Sequence, residues 1–211
     1  MNSDVSDWWE TEIIDMAPGQ IRLRGHPIQD LIGNVTFPQM IWLMTRGDLP
    51  TDGQAKLLEH ALVAAVDHGP QAPSIATARM AVTCGLGLNG AMASAVNMLD
   101  DVHGGAGEQA IELYTWIDEA VQGGQDLPSA TAEMIDRWQA DRTKFIPGFG
   151  YRFHKPEDPR APRLLGLVDE AAQAGTVSGR FADIGRCLQA VLNARKGKPV
   201  PMNIDGATAV I

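Results

Sequence analysis

The sequence predicts a mostly helical, all-α protein with one small β-hairpin near its N-terminus. Apolar residues recur at helical spacing along most of the 211 residues, and many of these stripes open at a capping residue and end at a glycine. A Pro18-Gly19 turn lies between two short apolar runs, which indicates a hairpin between residues 12 and 24. No apolar run reaches membrane-spanning length, so the helices are expected to pack on each other as a globular protein.

The first helices have clear boundary signals. Thr36 is placed to cap a short helix, and Gly47 ends it at a position where glycine is preferred. Thr51 and Gln54 form a capping box that opens the next helix, which is predicted to run to His68.

A long helix rich in small residues is predicted next, with Ser74 as its cap and most of the segment from Ala76 to Leu99 inside it. Glycine in a helix costs about 1 kcal/mol relative to alanine, so its glycines need a packing reason. Small residues let another helix axis come close. We therefore expect a homodimer that buries this helix.

Four further helices follow in the prediction. They extend from Glu108 to Gly123, from Ser129 past Trp138, from Arg160 to Gly175, and from Phe181 to Gly197.

Composition narrows the classes of partner. The net charge of −9 and a pI near 4.9 argue against nucleic acid or an anionic membrane as the main partner, although a local basic pocket is still allowed. Cys84 and Cys187 are isolated, lack metal-ligand spacing and lie in apolar patterns, so we predict buried structural thiols and no metal site. The acidic N-terminal segment does not have the pattern of a secretory signal, and the expected location is cytoplasmic.

A glycine-hinged basic loop from Phe145 to Arg160 stands out on this acidic chain. Gly148 and Gly150 allow the backbone to pass close to a ligand, and the cations that follow suit an anionic one. Asp158 is expected to cap the helix that begins near Arg160. Taken alone, the loop is equally typical of solvated charges between prolines and glycines.

Two other segments carry possible acid-base chemistry. His103 precedes a glycine-rich stretch and a new helix, while Asn203 and Asp205 lie in a short segment after Pro201. Each residue alone has a structural alternative, as a helix-entry hydrogen-bonding group for the histidine and a turn former for the aspartate.

The order of these segments resembles the citrate synthase family. The correspondence spans about Glu12 to Asp205 and is closest to the small members of the citryl-CoA lyase type. Its upstream motifs are Arg24-Gly-His-Pro-Ile-Gln-Asp-Leu31, Arg46-Gly-Asp-Leu-Pro-Thr51, Asp67-His-Gly-Pro-Gln-Ala-Pro-Ser74 and Thr77-Ala-Arg79.

The resemblance implies a mostly helical homodimer with two domains. The large domain would comprise residues 1–103, with 203–211 returning toward it, and the small mobile domain would comprise residues 104–202 and close over the substrate. The implied reaction makes or breaks the carbon–carbon bond between acetyl-CoA and oxaloacetate, with citryl-CoA cleaved in the lyase direction. Coenzyme A would enter as a thioester substrate, without a tightly bound cofactor.

The resemblance also implies roles for individual residues. His103 would donate a hydrogen bond to the thioester oxygen, and Asp205 would remove or return the methyl proton. His68 and Arg160 would hold the dicarboxylate. The CoA-binding segment would comprise Lys144, Pro147, Gly148, Phe149 and Gly150, with Asn203 orienting the backbone around Asp205.

The sequence departs from the family pattern in two places. Tyr151 stands where the family has a histidine that binds the keto oxygen of oxaloacetate, and a phenol with a pKa near ~10 is a poor base at neutral pH. Arg152 could lower that pKa, or His154, otherwise interpreted as structural or solvent-facing, could take over. The family's chain also continues past Asp205 into helices with further carboxylate-binding arginines, whereas this sequence ends at Ile211.

Two alternative functions remain open at this stage. One is a related synthase that uses another acyl-CoA or 2-oxo acid. The other is a non-catalytic homologue that binds CoA or a dicarboxylate.

Overall fold

A computed structural model describes residues 7–150 and 153–211. By the density of its internal contacts the chain divides into two compact units, Met1–Glu59 and His60–Ile211. No helix in the described ranges is long and apolar enough to cross a membrane.

The first unit contains a small antiparallel sheet, as the sequence predicts. Strands β1 (Ile14–Ala17) and β2 (Gln20–Leu23) pair with Ile14 opposite Leu23 and Ala17 opposite Gln20. A third short strand, β3 (His26–Pro27), was not predicted. It forms because the chain turns back at Gly25, whose φ of +83° suits glycine, and pairs with the end of β2.

The first helices begin where the local signals place them, and α2 also ends where predicted. After the one-turn α1 (Ile28–Leu31), helix α2 (Phe37–Arg46) has the predicted Thr36 capping box and ends at Gly47 in the left-handed conformation. Thr51 and Gln54 form the second capping box, with the Gln54 side chain 2.9 Å from the Thr51 backbone nitrogen. Helix α3 (Asp52–Ala64) ends before His68, so its predicted length was wrong.

The predicted long small-residue helix is two helices. Helices α4 (Pro73–Thr83) and α5 (Leu88–Val96) pack on each other around a break at Cys84–Gly87, where Gly85 adopts a φ of +90°. Cys84 is exposed and Cys187 is half-buried, so the prediction of two buried thiols was wrong. Cys84 follows the last turn of α4, where the break turns it away from the core.

After α4 and α5, the second unit continues with four longer helices and one short one. They are α6 (Ala106–Gln122), α7 (Leu127–Asp141), α8 (Arg160–Gln173), α9 (Arg180–Lys196) and α10 (Ile204–Thr208). Asp126, rather than Ser129, caps α7, because its side chain accepts the Ser129 N–H. Fully buried side chains from these helices form the core: Leu113, Tyr114, Ile117, Ile135, Trp138, Val168 and Leu188.

Helix α10 lies against α6 and α8 and carries Asp205. The buried Tyr114 hydroxyl on α6 donates to the carbonyl of Gly206 at 3.2 Å. Burial raises the pKa of Tyr114 far above its usual value, so this group stays protonated as a donor. The core therefore fixes the turn of α10 that follows Asp205.

Candidate active site

His103 contacts Ser74, which the sequence predicted as the cap of α4. Its Nε2 lies 2.9 Å from Ser74 Oγ and 3.3 Å from the Ser74 backbone nitrogen. A backbone N–H can only donate, so Nε2 is the acceptor and a neutral ring carries its proton on Nδ1. Ser74 was predicted to cap α4, but that helix begins one residue earlier, after Ala72, and the serine orients His103 instead.

Asp205 is half-buried at the start of α10. Asn203 caps this helix, since its side-chain oxygen accepts the N–H groups of Asp205 at 2.9 Å and Gly206 at 3.2 Å. This cap holds the backbone at Asp205, and the functional role predicted for Asn203 stays a prediction. Burial raises the pKa of Asp205 above its ordinary 3.8, partly opposed by the positive charges of Arg160, His103 and His68. A carboxyl group with a raised pKa is suited to exchanging protons near neutral pH.

The predicted glycine loop is joined to the Asp205 segment through the backbone. Asn203 N donates to Gly148 O at 2.9 Å, and Gly150 N donates to Pro201 O at 2.7 Å. Gly148 has a φ of +79°, and a Cβ there would lie 2.6 Å from Gly206 Cα. Glycine is therefore required at position 148 by contact with α10.

One cavity of about 640 Å³ collects three of the predicted site residues, His68, His103 and Asp205. Others that line it are Gln71, Ala72, Pro73, Val102, Gly104, Ala106, Phe153, His154 and Ile204. The sequence analysis did not single out Gln71, and it named His154 only as a possible replacement for Tyr151. Both are brought in by tertiary packing.

Arg160 lies beside this group rather than in the lining. Its guanidinium pairs with the fully buried carboxylate of Asp158, with Nε 3.0 Å from Oδ1 and Nη2 2.7 Å from Oδ2. Burial on its own raises the pKa of Asp158, but hydrogen bonds from Arg160 outweigh it and the net effect lowers that pKa. Asp158 also accepts the backbone N–H of Arg160 at 3.1 Å. The residue in the N-cap position of α8 is Pro159, rather than the predicted Asp158.

The residues of the predicted CoA-binding segment differ in their exposure and in whether they line a cavity. Gly150 lines a second cavity of about 610 Å³ together with Lys155 and Lys198, the prolines 156, 199 and 201, and Val200. Pro147 and Gly148 are buried, Phe149 is half-buried, and Lys144 is exposed with its ammonium 5.2 Å from the ring centre of Phe145. His154 and Lys155 are consecutive, so one short stretch contributes to both cavities.

Tyr151 and Arg152 lie outside the described residues, so the predicted role of Tyr151 stays a prediction. Among the residues that are described, no group of three or more His, Cys, Asp or Glu side chains is arranged to hold a metal ion.

Comparison with known proteins gives a consistent set of relatives. The family model described as citrate synthase, C-terminal domain, matches residues 51–211. The citryl-CoA lyase of Hydrogenobacter thermophilus is 32% identical and superposes with a TM-score of 0.76 over 96% of this chain and 74% of that one. ATP citrate lyase of Methanothrix soehngenii, solved with citrate and coenzyme A, has a TM-score of 0.77 over 96% of this chain and 31% of that one; at 19% identity it shows the shared fold alone.

Curated relatives are longer than this chain. ATP-citrate synthase subunit 1 of Sordaria macrospora is 27% identical over 202 residues, which are 94% of this chain and 28% of that protein. Citrate synthase of Haloferax volcanii is 25% identical over 163 residues, which are 77% of this chain and 40% of that protein. The chain therefore spans less than half of either relative.

Proposed function

Because this chain belongs to the citrate synthase family, we propose that it makes or breaks the carbon–carbon bond between acetyl-CoA and oxaloacetate, most closely as a citryl-CoA lyase. The observation that carries this proposal is that His103 and Asp205, from distant segments, line one cavity. The Ser74 contacts leave Nδ1–H of His103 as the donor, and burial has raised the pKa of Asp205.

The difficult species in this chemistry is the enolate of a thioester. In our proposal the His103 Nδ1–H donates to the thioester oxygen, where the negative charge develops. Asp205 takes a methyl proton from acetyl-CoA in synthesis, and its carboxylic acid returns that proton in cleavage. His68 and Arg160 hold the dicarboxylate, whose charge they complement.

We place the CoA portion along the loop that includes Lys144, Pro147, Gly148, Phe149 and Gly150. Lys155 and Lys198 in the second cavity supply the positive charge that the phosphates of a nucleotide require. Since residues 154 and 155 line the two cavities in turn, a thioester lying across this stretch would reach both.

The test of this function uses purified protein with citryl-CoA, and separately with acetyl-CoA and oxaloacetate, while free CoA and oxaloacetate are followed. We expect turnover in at least one direction, with His103→Ala lowering kcat at least about 100-fold because the enolate loses its donor. The matched control is His60→Gln, on α3, which should keep wild-type turnover. CoA binding without turnover would contradict the proposal and favour the non-catalytic homologue, and turnover of other 2-oxo acids alone would favour the related synthase.

We further propose that the active form is a homodimer formed through α4 and α5. These packed helices expose large apolar side chains, among them Met80 at 67%, Leu88 at 76% and Val96 at 61%. A row of exposed apolar residues of this size is typical of an interface. The division into domains 1–103 and 104–202, with closure over the substrate, also remains part of this proposal.

The dimer is tested by native mass spectrometry at micromolar concentration. We expect dimers from the wild type and monomers from Leu88→Glu, because a buried, unpaired charge at an interface is costly. The control is Ile32→Glu, an exposed apolar residue of the first unit, which should leave the dimer intact. A wild type that stays monomeric would refute this assembly.

A further inference from the structure

A pair of stacked imidazoles lines the first cavity. The rings of His68 and His154 have centroids 5.6 Å apart and an angle of 8° between their planes. Both side chains are half-buried and line the cavity that His103 and Asp205 also line. The stack holds the ring of His154 parallel to that of His68.

The chemistry of the proposed substrate indicates a function for the stacked His68–His154 pair. In a 2-oxo acid the keto carbon is bonded directly to a carboxylate carbon, so the keto oxygen is two bonds from that carbon and lies close to a residue that binds the carboxylate. If His68 holds that carboxylate, the adjacent parallel ring of His154 is positioned for the keto oxygen. Imidazole, with an ordinary pKa near ~6.5, exchanges protons at neutral pH, whereas a tyrosine phenol does so poorly.

Two carboxylates lie in the surroundings of His154. Asp158 is buried nearby, and the charge of His154 contributes to keeping this carboxyl ionised. Arg160 pairs with Asp158, and Asp205 and His103 line the same cavity as the stacked pair. The carboxylates of Asp158 and Asp205 therefore lie near the imidazoles and Arg160.

We propose that His154 is the catalytic residue that binds the keto oxygen of the 2-oxo acid and exchanges a proton with the alcohol formed there. This inference rests on the proposed function. It assigns to His154 the task for which the family resemblance points to position 151.

In the cleavage direction, His154 acts as the base. The tertiary hydroxyl of citryl-CoA gives its proton to a neutral His154 as its O–H electrons form the carbonyl of oxaloacetate. The carbon–carbon bond breaks, and its electron pair forms the thioester enolate that His103 stabilises. The enolate carbon then takes the proton of the Asp205 carboxylic acid. His154 ends with one more proton and Asp205 with one fewer, and exchange with water resets both.

Two substitutions separate the chemistry of His154 from its packing. His154→Phe keeps a flat ring that can stack on His68 but cannot donate or accept a proton. His154→Gln keeps an N–H donor but no base. We expect the Phe variant to lower kcat for citryl-CoA cleavage by roughly 100-fold or more, the usual size of a general acid-base contribution, with KM changed much less.

A second readout does not depend on turnover. Infrared spectra of bound oxaloacetate, isotope-labelled at its keto carbon, report the hydrogen bond to that oxygen as a lowered C=O stretching frequency. We expect the lowered frequency in the wild type, its partial retention in His154→Gln and its loss in His154→Phe. Thermal unfolding of each variant checks that it folds, and His26→Phe, in strand β3, is the matched histidine control.

Wild-type cleavage by His154→Phe, or a carbonyl frequency unchanged by that substitution, overturns the inference and assigns the ring to packing. Loss in Tyr151→Phe with full activity in His154→Phe also overturns it and returns the task to the phenol. If the wild type cleaves no citryl-CoA, the proposed lyase activity fails separately. The infrared measurement then still decides: a frequency shift that depends on His154 supports the contact, and an unshifted wild type overturns it.

Discussion

Asp205→Asn is expected to remove turnover while making the folded protein more stable at neutral pH. The amide cannot exchange the methyl proton, so kcat should fall by about 100-fold to 10,000-fold. Stability should rise because burial disfavours the ionised form of Asp205, and asparagine carries no charge there. Turnover assays and thermal unfolding of the two proteins measure both effects.

The pH dependence of this stabilisation has a definite sign. The folded-state pKa of Asp205 is raised, so the unfavourable burial of its charge is felt above that pKa and disappears as the pH falls. The advantage of Asp205→Asn should therefore shrink on acidification and vanish below the ordinary value of 3.8.

Asp158→Asn is the matched control for this experiment, because the pKa of Asp158 is lowered rather than raised. Its favourable contribution is present above the ordinary value and is lost as the pH falls through the lowered one. The substitution should thus destabilise the protein at neutral pH. Two aspartates with the same direction of change would contradict the assignment of Asp205 as the carboxylate strained by burial.

Arg160→Met is expected to destabilise the protein by about 3–5 kcal/mol, the usual cost of removing one partner of a buried ion pair. The side chain of Asp158 is completely buried, and the guanidinium of Arg160 provides two hydrogen bonds to its carboxylate. Without the guanidinium, a buried charge is left without compensation. Urea unfolding at neutral pH measures the loss.

Arg186→Met is the control, because it removes an exposed ion pair instead of a buried one. Arg186 Nη2 lies 2.6 Å from Asp169 Oδ2, and both side chains are more than 40% exposed. An exposed pair contributes about 0–1 kcal/mol, so this change should be small. Adding Asp158→Asn to Arg160→Met should recover part of the loss, since the unpaired charge is removed with its partner. Equal effects of Arg160→Met and Arg186→Met would show that the buried pair has no special role.

Sequence predicted the parts of this molecule that short-range chemistry determines. The capping boxes at Thr36 and Thr51 and the left-handed Gly47 each depend on residues within one turn, and the structure has all three. The same holds for Asn203, whose amide caps the turn that carries Asp205. The family motifs pointed to His103, His68 and Asp205 as site residues, and all three line one cavity.

The contacts that sequence reasoning missed join residues far apart in the chain. Ser74 is 29 positions from His103, and nothing in its own neighbourhood distinguishes an imidazole partner from a helix cap. His154 is adjacent to charged and proline residues that suggest a solvated loop, and its stacking on His68 depends on tertiary packing. The break between α4 and α5 was missed because the apolar pattern continues across Cys84–Gly87 on both sides.

The pairing of Gly148 and Gly150 with Asn203 and Pro201 makes two distant parts of the chain a single mechanical piece. If the segment with Gly148 and Gly150 moves, these hydrogen bonds also displace the turn that carries Asp205. In the proposed function, a pantetheine arm against this segment would therefore bear on the same backbone that positions the Asp205 carboxylate.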